Sequence, residues 1–324
     1  MSIAKRLTAA AMCAAAILCL SGSVWALNPA GAVKTSSPVT QTDTAAKSAK
    51  AQTVTAATVT KTAAQTTVQT AAVQKPSEVS VWLNGEQMEF MIAPLLQNGT
   101  TYVSLYDFCT MMGCRVLWHD EGYATVTRGS ELDMVCIPGE IYLTANGRAL
   151  YLPTPAKIID SRIMIPIRAL ATVFDMDVNW NGELLRVELS GGGLLQSGDS
   201  YYDADTLYWL SRIISAEARG EPLVGQIAVG NVVFNRIADP EFPETVYGVI
   251  FDKNNGVQFT PTETGDIYES PKDISILAAK LCLEGADYSC GATYFISYKV
   301  IECWAMSNKD LLTVIGGHRF YGDK

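Results

Sequence analysis

Residues 213–222 read I-I-S-A-E-A-R-G-E-P and place one carboxylate, Glu217, at the end of an apolar helix face. Leu207, Leu210 and Ile214 lie ten, seven and three residues before it, so a 3.6-residue period brings all four to one side. Asp203 or Asp205 can cap the start, and Gly220 with Pro222 ends the helix one turn beyond the acid. Partial burial and the negative end of the helix dipole both disfavour the anion. They raise the pKa above the usual value of about 4.3 and keep a proton available near neutrality, as general acid chemistry requires. The competing reading is a solvated glutamate or an ion-pair partner of Arg212 or Arg219, and helix position alone favours it.

Outward from this stretch, Leu223–Ile237 is apolar nearly all round and predicts a central buried helix. Gln226, Asn231, Asn235 and Arg236 interrupt it. A buried helix tolerates such groups only when they are hydrogen-bonded, so they tie down backbone or point into a cleft. Ser270-Pro271, Asp273 and Gly285 bracket a third helix, residues 239–268 are loop-rich enough to wall a groove, and Ala292–Ile296 reads as a strand. Residues 198–324 are therefore expected to be a mainly helical domain with its own core, able to fold alone.

At the other end, residues 1–26 combine Lys5 and Arg6, an apolar run through Leu20, and small residues Val24 and Ala26, the pattern of a signal peptide. Its removal takes away two positive charges, so the net charge of −9 becomes −11. Residues 27–76 are Thr- and Ala-rich, hold no aromatic residue, and cannot bury enough apolar surface to offset ordering entropy; they read as a disordered linker. This linker has five Lys and one Asp, which leaves about −15 on the remainder. Nucleic acid and anionic membrane are poor partners for so acidic a chain, and no nucleic-acid partner is expected.

Residues 77–193 change texture to short apolar runs broken by Asn-Gly and Gly-rich turns, the pattern of strands and hairpins. They also repeat with an offset of 62: Asn84-Gly85 returns as Asn146-Gly147, Val103 as Ile165, Phe108 as Leu170, Val116 as Val178 and Trp118 as Trp180. Each copy predicts a hairpin, a strand, a short helix and a Trp-bearing strand, with both indoles expected in the core. The duplicated unit resembles the copper amine oxidase N-terminal-like stalk domain. No copper site follows, because His119, Cys109, Cys114 and Cys136 lack a compact ligand spacing.

Further along, A-E-A-R-G-E-P (216–222), G-Q-I-A-V-G-N-V-V-F-N-R (225–236), F-P-E-T-V-Y-G-V-I (242–250), V-Q-F-T (257–260), A-T-Y-F (292–295), Trp304 and G-G-H-R-F-Y (316–321) occur in order. This series resembles the bacterial cell wall hydrolases typified by the spore-cortex-lytic enzyme SleB. The resemblance implies a multidomain chain: an α+β, lysozyme- or lytic-transglycosylase-like, mainly helical catalytic domain after a β-rich duplicated α+β stalk. It implies cleavage of peptidoglycan between N-acetylmuramic acid and N-acetylglucosamine. The family's catalytic glutamate falls on Glu217, which decides between the two readings of that residue. Gln226, Asn235, Arg236, Gln258, Phe259, Tyr294, Phe295, Trp304 and His318 match recurrent family positions and are expected to line the cleft. The chain departs from the family at Val257, at Ile296-Ser297-Tyr298 and at Gly317, where Gly, an Asn-Pro type turn and Asn are expected.

No second carboxylate sits in a comparable motif, and a single acid suits transglycosylation; Asp252, Glu263 and Asp266 are the reserve, with which hydrolysis by water would return. Three other classes compete. An amidase wants a metal or a Cys/His pair, whereas this domain has one histidine, His318. A non-catalytic wall-binding protein would not need Glu217. A cysteine enzyme would join Cys282, Cys290 or Cys303 to His318 without a local signature. No cofactor or metal is expected. The expected partners are peptidoglycan glycan strands and, through the stalk, other wall or spore-coat proteins. The expected state is a secreted, wall- or spore-associated monomer.

Overall fold

The computed structural model describes residues 78–323 except 255, so the expected signal segment and linker lie outside the described residues. In the repeat domain the elements run β1 (Ser80–Leu83), β2 (Glu86–Gln87), β3 (Leu95–Gln97), β4 (Thr100–Ser104), α1 (Leu105–Met111), β5 (Arg115–His119), β6 (Tyr123–Arg128) and β7 (Leu132–Cys136). They continue as β8 (Tyr142–Ala145), β9 (Arg148–Tyr151), β10 (Lys157–Ile159), β11 (Arg162–Pro166), α2 (Ile167–Val173), β12 (Met176–Asn181) and β13 (Arg186–Gly191). Every element from β1 to β6 recurs as β8 to β13; β7 alone has no counterpart. The central pairing is between β4 and β11, with Val103 opposite Ile165, its own repeat equivalent, so a pseudo-dyad passes between them.

Around that axis the copies exchange hairpins. The sheet β12-β13-β1-β2 carries the first copy's opening hairpin on the second copy's closing strands, while β5-β6-β7-β8-β9 does the converse through β7. Asn84 and Asn146 adopt φ of 49° and 46° and their following glycines are also positive, so each Asn-Gly closes a tight hairpin as its chemistry dictates. Phe108 and Phe174 meet with centroids 5.8 Å apart in one core beneath the sheets.

Trp118 and Trp180 depart from expectation: they are 47% and 38% exposed. Val116 and Val178 pack against the core, and the Trp two residues on follows the same face past its rim. Both strands, β5 and β12, are sheet edges, so no described strand flanks the ring on its outer side.

The C-terminal domain comprises α3 (Gly198–Tyr201), α4 (Ala204–Ala218), α5 (Leu223–Ala238), α6 (Val246–Phe251), α7 (Pro261–Thr264), a 3-10 turn (Asp266–Tyr268) and α8 (Asp273–Leu283). A small sheet follows, from β14 (Tyr294–Ser297), α9 (Trp304–Asn308), β15 (Asp310–Ile315) and β16 (His318–Gly322), with strand order β14-β16-β15. The Asp203 carboxylate accepts from Thr206 N and caps α4. Helix α5 is buried along nearly its whole length, and at Gly230 it meets both partners: a Cβ there would lie 2.7 Å from Cys282 Sγ of α8 and 2.8 Å from Ile214 Cδ1 of α4. Among the described residues no helix is long and apolar enough to cross a membrane.

Candidate active site

Glu217 stands in the last turn of α4, on the face of the wholly buried Leu210 and Ile214. It is half-buried and makes no hydrogen bond or ion pair with any described residue. Loss of hydration pushes its carboxyl from the ordinary 4.5 up to about 7. The ion-pair reading fails on geometry. Arg219 turns away to Glu269, Nη1 to Oε2 3.1 Å, and to the Ser215 carbonyl, while Arg212 lies over the Tyr208 ring at 3.7 Å.

One turn further, Glu221 is spoken for. Its Oε2 accepts from Gly317 N at 2.7 Å, and its Oε1 lies 3.8 Å from His318 Nδ1. The turn between β15 and β16 wraps this carboxylate so closely that a Cβ on Gly316 or Gly317 would run into it. Here Gly317 is explained: an Asn at that position would displace Glu221. Burial lowers the His318 pKa while the Glu221 charge opposes that shift. Of the reserve carboxylates, Asp252 accepts from Asn254 N and Asp266 from Thr264 Oγ1, both local turn bonds, and Glu263 is exposed.

The structure brings most of the remaining candidates into one aromatic cluster but separates them by role. Phe295 contacts Phe259 at 6.2 Å, His318 at 5.4 Å and Phe320 at 6.2 Å, centroid to centroid. Tyr294 joins Phe242 to Trp304, and the Arg236 guanidinium sits among Phe242, Phe259 and Tyr294 at 5.0–5.2 Å. Trp304 is 59% exposed, and Gln258, Tyr294 and Phe295 are partly exposed, so these four reach solvent.

Gln226, Asn235, Arg236, Phe259 and His318, also expected at the cleft, are buried. Gln226 donates to the Glu221 carbonyl and accepts from Ser275 Oγ, stapling α5 to the α4–α5 junction and to α8. Asn235 donates to Ser289 Oγ and the Ala292 carbonyl, and Arg236 Nε donates to the Thr293 carbonyl. Burial lowers the Arg236 pKa to about 10, and Nη1 has no hydrogen-bond partner among the described residues. The polar interruptions of α5 thus hold the backbone of residues 286–293, with Asn231 adding bonds to Ala286 and Tyr288.

Among the described residues no cysteine makes a hydrogen bond to His318. Cys282 is buried with Sγ donating to the Ile227 carbonyl, and burial raises its pKa, so the thiolate nucleophile is suppressed. All six cysteines of the described region are free. Sequence reasoning missed the β15–β16 hairpin and with it the seat of Glu221; the run T-V-I before Gly316-Gly317 was the available signal.

Comparison with known proteins agrees with this organisation. Residues 220–321 match the family model described as Cell Wall Hydrolase, and residues 82–189 match Copper amine oxidase N-terminal domain. A spore cortex-lytic enzyme of Halalkalibacterium halodurans is 35% identical over 119 residues, 37% of this chain and 35% of that protein. One from Bacillus subtilis is 38% identical over 111 residues, 34% of this chain and 35% of that protein. The chain thus spans about a third of the length of these curated relatives. The crystal structure of the catalytic domain of Bacillus cereus SleB is 30% identical, with 37% of this chain and 92% of that one covered and a TM-score of 0.34. Residues 220–321 belong to the cell wall hydrolase family, and a copper amine oxidase N-terminal domain precedes them in the same chain.

Proposed function

We propose that the chain is an exported, wall- or spore-associated enzyme that cleaves the N-acetylmuramic acid to N-acetylglucosamine bond of peptidoglycan, as a lytic transglycosylase with Glu217 its one catalytic carboxylate. The observation that carries this reading is the desolvated, unpartnered Glu217, whose pKa of about 7 leaves a transferable proton at neutrality. The family match and the relatives' printed name, spore cortex-lytic enzyme, support the substrate class.

In this reading Glu217 protonates the bridging oxygen. The C1–O bond breaks, and the positive charge at the muramoyl C1 is shared with the sugar's own acetamide. The Glu217 carboxylate then takes the proton of the muramoyl C6 hydroxyl as that oxygen closes a 1,6-anhydro ring, so no water enters. Gln258, Tyr294, Phe295 and Trp304 are the groups placed to contact sugar. Gln226, Asn235 and Arg236 hold the loop that carries Tyr294, and Glu221 with His318 fixes the β15–β16 turn. The glycan strand is the proposed partner, and the protein acts as a monomer in a lysozyme-like domain.

Glu217→Gln keeps the shape and removes the proton. On purified peptidoglycan it should lose at least about a hundredfold in rate while still binding the glycan, the lower end of general acid contributions. A folded Gln variant cutting at the normal rate overturns the proposal.

A further inference from the structure

We infer that the repeat domain is a docked brace of the catalytic domain, keyed in by the turn of its second hairpin, so that the two share one core and unfold as one unit. This goes beyond the glycosidase reading and does not rest on it.

The key is the Asn146-Gly147 turn with the first residues of β9. Arg148 donates through Nε and Nη2 to the two oxygens of Glu284, both at 2.7 Å, and the two side chains are 9% and 6% exposed. Tyr202 closes the same site, donating its hydroxyl to Glu284 at 2.8 Å and accepting from Ala149 N at 3.0 Å, while the Tyr201 ring lies 3.4 Å from the Arg148 guanidinium carbon. Lys280 donates to the Gly147 carbonyl and Gly198 N to the Asn146 carbonyl, each at 2.7 Å. Gly198 has no room for a side chain, since a Cβ would stand 2.5 Å from the Gly147 oxygen.

Charge and apolar burial agree on the docking. Glu284 caps the C-terminal, negative end of α8, where a buried carboxylate alone would be strongly disfavoured; Arg148 and Lys280 bring two cations to that end. Ala149 is buried within the catalytic domain's own core, with Ile141, Tyr142 and Tyr151 of the repeat domain packed against it. Tyr151 also donates to the Tyr288 hydroxyl at 3.2 Å. The expected boundary near residue 198 therefore cuts through a continuous core.

The repeat supplies an internal control. The first copy's equivalents of Arg148 and Ala149 are Glu86 and Gln87, both exposed, and a Cβ on Gly85 would meet nothing within 4 Å. The same position of the same fold is solvent-facing in one copy and built for docking in the other. What it docks on matters for the site: α8 packs on α4, and Ser215 Oγ of α4 accepts from Lys272 N at the start of α8.

Calorimetry of the full chain tests this. We expect one cooperative transition. Arg148→Glu should split it in two, with the catalytic transition lowered by about 5–15 °C, the size expected for breaking a buried pair. The exchange Arg148→Glu with Glu284→Arg should restore the single transition, and Glu86→Arg at the equivalent free hairpin should leave it unchanged. Arg148→Met reads the same coupling if the reversal yields no folded protein. Two independent transitions in the unmodified chain, or an Arg148→Met or Arg148→Glu protein that melts like it, would overturn the inference.

Discussion

Replacing Glu217 by Gln should leave stability unchanged at pH 4 and raise it at pH 8. The folded carboxyl titrates at about 7 against an ordinary 4.5, because burial strips water from the anion. At about 1.4 kcal/mol per tenfold change in proton affinity, that difference corresponds to about 3 kcal/mol. Its sign follows from proton counting. Between pH 4.5 and 7 the folded chain holds a proton that the unfolded chain has released, so stability falls as pH rises through that window. Below it the cost is absent, and above it the cost is complete. A neutral amide carries none of it, and every other titrating group is common to both proteins and cancels in the difference. Urea unfolding of the two proteins at pH 4, 6 and 8 gives the curve directly. We expect a difference near zero, then intermediate, then up to about 3 kcal/mol in favour of Gln. A difference independent of pH, or a Gln variant less stable at pH 8, would refute the burial argument.

The same ionisation governs rate: kcat/KM should fall with an apparent pKa near 7 on the alkaline side, as the acid form is lost, and a flat profile from pH 5 to 9 would contradict it. Gly230→Val should cost about 1–3 kcal/mol or more through overpacking where α4, α5 and α8 meet; an unchanged melting temperature would show that the junction yields. Trp118→Ala and Trp180→Ala should each cost about 1–2 kcal/mol, below the 3–5 kcal/mol of a fully buried ring. A larger loss in thermal unfolding would return these indoles to the core.

Where local chemistry decides the outcome, the sequence was readable. Asp203 caps α4, Gly285 takes φ of 93° after α8, and the two Asn-Gly pairs close equivalent hairpins, because each depends on a few adjacent residues. Helix period put Glu217 on the face of Leu210 and Ile214, but it took the family resemblance to choose the buried acid over a solvated or ion-paired one. Contacts between distant residues were not legible. The Glu221 seat needs Gly317, 96 residues away, and the Arg148–Glu284 pair spans 136. Helix period identified Gln226, Asn235 and Arg236 as polar groups in a buried helix but could not say whether they faced substrate or the backbone of residues 286–293. The indoles were misplaced because repeat equivalence shows that two residues share an environment, not that their strands lie at sheet edges.

Mass analysis of peptidoglycan digested by the unmodified protein tests the central claim most directly, since each chemistry leaves its own mark on the glycan ends. The account predicts muropeptides ending in 1,6-anhydromuramic acid, formed without uptake of water and absent from the Glu217→Gln digest. Reducing ends would contradict the transglycosylase step, and freed peptides on intact glycan would contradict glycosidic cleavage itself.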